Sequence, residues 1–147
     1  MKLMPFVLTA IFAVLAACAT AAASDPSLQQ TASLMVSIGQ HGEGMTAQDI
    51  KDLSAQLDEH VAAAPSDPFV LKLAAQSRRT LSDHSQDRAQ RVGLRHTALV
   101  ELDKAILLAG ASTASRIVML SGVETAIDLK DMPDLRAQLM RQVQTDR

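Results

Sequence analysis

Aromatic side chains are almost missing from this sequence: three Phe, no Trp and no Tyr among 147 residues. A core without rings must be built from closely packed aliphatics, and Ala, Leu, Val and Met carry that load. Ala-rich helices allow close approach, whereas sheets favour β-branched and aromatic residues. Cysteine occurs once, at Cys18, so an internal disulfide is excluded. The formal net charge is only −2 and no dense basic run occurs, which leaves no electrostatic footprint for nucleic acid. No segment sustains an alternation of period two, so no strands are expected.

The signatures of catalysis are missing too. There is no C-x-x-C-H, no G-x-S-x-G elbow and no H-x-x-x-H pair among His41, His60, His84 and His96. The glycine-rich stretch Gly39 to Gly44 lacks the Lys and Ser/Thr of a phosphate loop and reads as a turn. No enzymatic activity, metal or cofactor is expected.

What is present is helical punctuation. Leu28 to Gln40 forms a first amphipathic segment, ended by His41-Gly42-Glu43-Gly44. Thr46-Ala47-Gln48-Asp49 resembles a capping box with Asp at its fourth position, followed by the stripe Ile50, Leu53, Leu57, Val61. Pro65-Ser66-Asp67-Pro68 ends that helix and starts the next, with Asp67 as cap and Pro68 at the first helical position. The third helix reaches about Leu81. A long segment from Asp87 to Ala109 carries Val92, Leu99, Leu102 and Ile106. Ala114 to Leu129 reads as a further helix with Ile117, Leu120, Val123 and Ile127, and Pro133 to Gln144 as the last.

The beginning of the chain supplies an address. Lys2 precedes an apolar stretch from Leu3 to Val14, the usual length of an export signal's hydrophobic region. Leu15-Ala16-Ala17-Cys18 then resembles the lipobox of bacterial lipoproteins at all four positions. The resemblance implies a signal peptide over 1–17, a diacylglyceryl group on the Cys18 thiol and a lipid anchor in a bacterial membrane. Ala19, rather than Asp, after the cysteine implies the outer membrane more than the inner. Residues 18–27 then form the lipidated cysteine and tether, and 28–147 a helical periplasmic domain. Ala21-Ala22-Ala23 before Ser24 offers a second cleavage site, which would yield a soluble periplasmic product.

Two passages echo each other: LDEHVAAAPSDPFVLKLAA from Leu57 and LDKAILLAGASTASRIVML from Leu102. The first resembles the junction between tetratricopeptide repeats, with Pro65 as closing proline and Ala74-Ala75 as the small middle positions. The spacing of the echo, about 45 residues, exceeds the roughly 34 of that repeat, and Gly110 stands where a proline would. An all-α fold follows, as an array of tetratricopeptide-like antiparallel hairpins or an irregular helical bundle. The resemblance implies a ligand-facing groove on the third helix made by Phe69, Lys72, Gln76 and Arg79. The competing reading puts Phe69 into the core as a staple for the helix start.

Arg88, Arg91 and Arg95 share one helical face, either as a solvated face with an Asp87–Arg91 pair or as a dock for an acidic partner. The expected function is a membrane-anchored protein-binding or scaffolding module with an envelope protein as partner. The alternative is a small helical periplasmic sensor or chaperone of the envelope-stress type. Met45-Thr46-Ala47-Gln48 resembles the Leu-Thr-x-x-Gln signature of such proteins, with Met for Leu and the Gln one place early.

Overall fold

The computed structural model describes residues 26–41 and 43–147. The expected signal peptide and Cys18 lie outside the described residues. Five helices and one hairpin follow in order: α1 (Pro26–Gln40), α2 (Ala47–Ala63), α3 (Pro68–His84), α4 (Arg88–Ala109), β1 (Ser115–Leu120), β2 (Val123–Asp128) and α5 (Met132–Thr145). The protein is mostly helical, as its Ala/Leu-rich composition implies.

The helix starts follow local chemistry. Thr46 and Asp49 form a reciprocal capping box at α2, each side chain serving the other's backbone amide. Asp67 accepts from the amides of Phe69 and Val70 at the start of α3, with Pro68 in the first turn. Asp87 accepts from the Gln90 amide at α4. Asp131 precedes α5 with a helical rather than extended backbone and makes no capping bond; its carboxylate pairs with Lys72.

Helix α3 is the hub, packed against α1, α2 and α4. Its residues belong to both hydrophobic clusters. Phe69, Val70, Leu71, Leu73 and Ala75 join α1, α4, the hairpin and α5, while Ala74 and Leu81 join Leu34, Ile38, Ile50, Leu57 and Leu94. Burying each such Leu or Ile contributes roughly 1.5–3 kcal/mol. The buried hydroxyls of α3 answer to their own helix: Ser77 donates to the Leu73 carbonyl and Ser82 to that of Arg79.

The segment 114–129, expected as a helix, is a β-hairpin, and the expectation of no strands is corrected with it. The strands pair antiparallel from Ser115↔Asp128 to Leu120↔Val123. Ser121 and Gly122 form a two-residue connection with φ of 51° and 81°. Positive φ at both positions is what a type I′ hairpin turn requires, and its twist matches that of the strands. Ile117, Val118, Val123, Thr125 and Ile127 are β-branched and lose χ1 freedom in a helix. Val118 and Ile127 are buried on the inner face, while Ile117 and Met119 look outward. The echo between 57–75 and 102–120 is therefore one of sequence and not of structure: the first copy is helix–turn–helix, the second helix–turn–strand.

Candidate functional site

The four residues expected to line a groove do share one side of α3, but the chain beyond residue 110 returns over its first half. Phe69 is only 4% exposed and sits in the core. The Arg116 guanidinium of β1 lies 4.9 Å from its ring centroid. Lys72 is buried; its ammonium donates to the Asp128 carbonyl at the end of β2 and pairs with Asp131. Gln76 and Arg79 are half-buried farther along. Phe69 and Lys72 thus hold the hairpin and the start of α5, and this face offers no open groove at either residue.

The arginine face of α4 is engaged with the end of α5. Arg95 bonds Asp146 at the end of α5 at 2.7 Å, Asp83 at 3.1 Å and the Ser82 hydroxyl at 3.1 Å. Arg91 approaches Asp146 at 3.6 Å and donates to the Ser85 carbonyl, so the expected Asp87–Arg91 pair gives way to contacts across the fold. Arg88 reaches the Asp146 carbonyl. These arginines clamp the end of α5 onto α4, and the clamp holds the Asp146 carboxyl below its usual range, the Arg95 hydrogen bond contributing most.

The most concentrated polar feature lies between α2, α3 and α4. Arg78, 2% exposed, donates through Nε to both Glu101 oxygens at 2.9 and 3.0 Å. Its Nη1 donates to the Ser54 hydroxyl at 2.7 Å and its Nη2 to Asp58 at 2.5 Å. Burial pushes Glu101 up to about 7, against the opposing pull of Arg78. A cleft of about 290 Å³ opens above this network, walled by Ile50, Ala55 and Leu94 and edged by Lys51, Ser54 and Asp58. Chemically the network pairs one buried guanidinium with two carboxylates and the Ser54 hydroxyl. Nothing in the sequence marked Arg78 and Glu101 as partners, because they are 23 positions apart on different helices.

A second feature is apolar and open. Along the far half of α4, Val100 is 68% exposed, Leu107 82% and Leu108 43%. Their spacing puts them on one side of the helix, around Lys104. A signal for them existed: they fall off the stripe Leu99, Leu102, Ile106 that packs inward, yet they are large and aliphatic. On the hairpin, Ile117, Met119 and Val123 are likewise exposed. Among the described residues no helix is long and apolar enough to cross a membrane. Compared with protein-family models, curated proteins and solved structures, the chain matches none.

Proposed function

We propose that this chain is an exported bacterial lipoprotein, anchored through Cys18 and facing the periplasm, whose helical domain is a protein-binding or scaffolding module. The outer membrane is the favoured location. The address rests on Leu15-Ala16-Ala17-Cys18 and the sole thiol. The observation that carries the binding role is the unpartnered strip Val100, Leu107, Leu108 on α4. Three large aliphatics on one helical side are the apolar centre of an interface, and Lys104 and Asp103 beside them would form its polar rim. This strip takes the place of the α3 face as the docking surface.

The anchor and the surface are tested separately. Cys18→Ser should move the protein out of the membrane fraction or stall it as an uncleaved precursor. A variant that matures and fractionates like wild type overturns the anchor and points to cleavage after Ala23. For the surface, a photo-crosslinking residue at position 107 in living cells should give one discrete heavier adduct. The same probe at exposed Lys51 should give none. Equal, diffuse products from both positions overturn the docking role of α4.

A further inference from the structure

The hairpin stands beside the point where the tether enters the fold. Gln29, in the first turn of α1, grips the outer edge of β1 with its side-chain amide: Nε2 donates to the Met119 carbonyl at 2.8 Å, and the Met119 amide donates to Oε1 at 2.9 Å. This amide behaves like a short extra strand and fixes the hairpin to the start of the helix. On the lipoprotein reading, residues 18–25 separate the acyl chains from Pro26. Eight residues span at most about 29 Å when fully extended, so α1 begins within that distance of the bilayer surface. The part of the domain bonded to the start of α1 is therefore kept close to lipid.

That part is apolar where it faces outward. Ile117 (58% exposed) and Met119 project from the outer face of the hairpin, while Val123 (64% exposed) stands at its tip beside Ser121-Gly122 on the opposite face, paired with Leu120. The charges around them are mixed: Glu124 lies across from Met119, and Arg116 is engaged with Asp67 and Phe69. Attraction to anionic headgroups is thus not the driving term. We propose, resting on the anchored reading above, that the β1–β2 tip is a membrane-contact element that dips Ile117, Met119 and Val123 into the lipid surface beside the anchor. The partner is the bilayer interface itself. Three aliphatic side chains would hold a free protein only weakly, but the tether presents them to the surface at high effective concentration, so weak insertion suffices. Docking the hairpin would also orient the domain and leave the strip on α4 to a protein partner.

The test uses the lipidated protein reconstituted into phosphatidylcholine vesicles. Acylation blocks the Cys18 thiol, so Val123→Cys supplies the one free thiol for an environment-sensitive dye. Its emission should shift to the blue, and quenching by aqueous iodide should fall at least about threefold relative to the same dye on Lys51→Cys. The effect should survive high salt, as insertion of apolar groups does and headgroup attraction does not. Equal quenching at both positions, with the acyl mass confirmed on Cys18, overturns insertion and leaves the anchor standing. An unmodified Cys18 in the intact mass overturns the anchor and, with it, the proximity that the insertion requires. Protection that appears without vesicles and grows with protein concentration overturns the proposal in favour of a second copy covering the hairpin.

Discussion

The chain turns back on itself in two places that look alike in sequence and end differently. After Ala64 to Asp67 it enters α3; after Gly110 to Ala114 it enters β1. At the first return, Asp67 supplies two amide acceptances and Pro68 a preset φ, so a helix nucleates at once. At the second, Gly110 takes a φ of 54° at the end of α4, and Ser112 bonds the Ala114 amide within the loop. That bond resembles a cap, but no proline presets the next residue and a β-branched run of Ile and Val follows. The outcomes differ in burial as well. α3 is enclosed, and even its Lys72 and Arg78 are buried with partners. The hairpin hides one face and shows aliphatics on the other. The difference teaches that one return is enclosed by the fold, while the other contributes Val118 and Ile127 to the core and keeps Ile117 and Met119 at the surface.

The largest effect should come from the enclosed side. Arg78→Met removes the guanidinium that answers Glu101, Asp58 and Ser54 and leaves a buried carboxylate unpaired. Breaking such a pair costs about 3–5 kcal/mol. Chemical denaturation at pH 8 should show that loss, and a smaller one at pH 5, where Glu101 takes up a proton. A comparable loss from aspartate at the exposed Ile117 would erase the contrast between the two returns.

Glu101 sharpens the contrast through pH. Its carboxyl stands at about 7 in the fold against 4.5 for the free side chain, so the folded state holds its proton longer. The stabilisation is complete below about pH 4.5 and is lost as pH rises through 7, because the unfolded chain ionises first. The span corresponds to roughly 3 kcal/mol as an upper bound. Glu101→Gln should flatten the fall in stability between pH 4.5 and 7, measured by urea midpoints. An unchanged slope would show that another group sets it. Below that window, Asp146 works in the opposite direction: its lowered carboxyl stabilises above its ordinary range and ceases to do so as the pH falls.

The smallest effect joins the two returns. Asp67 caps α3 through one oxygen and accepts from Arg116 of β1 through the other at 2.6 Å. Asp67→Ala should cost about 1–2 kcal/mol, as loss of a cap does. Asp67→Asn, which keeps a capping oxygen but not the charge, should recover most of it, since a half-exposed ion pair contributes about 1 kcal/mol or less. Thermal melts of the two variants that coincide would show the link to Arg116, and not the cap, to be what Asp67 contributes.

Much of the helical framework was legible in local chemistry. The capping box at Thr46, the Asp67-Pro68 start and the stripe of α2 are short-range signals that stand where the residues say, whereas of the expected α4 stripe only Leu102 is buried, the buried face running through Leu94, Ala98, Glu101 and Ala105. The hairpin was misread because Ile117, Leu120, Val123 and Ile127 fall at spacings of three and four, a helical stripe. The strand evidence, β-branched residues around Ser121-Gly122, is equally local but shorter. An apolar run of five or six residues satisfies both periods.

The candidate sites were legible only in part. The Cys18 motif is contiguous and lies outside the described residues. The α3 face could not be read directly, because whether Lys72 meets water or Asp131 depends on a segment some sixty positions later folding back across it. The sequence by itself determined the capped starts of α2, α3 and α4, since these depend on neighbours within one turn. Tertiary structure alone decided that Phe69 is covered, that Arg78 finds Glu101, and that Leu107 and Val123 stay outside. Burial is a property of what packs from afar, and no local pattern carries it.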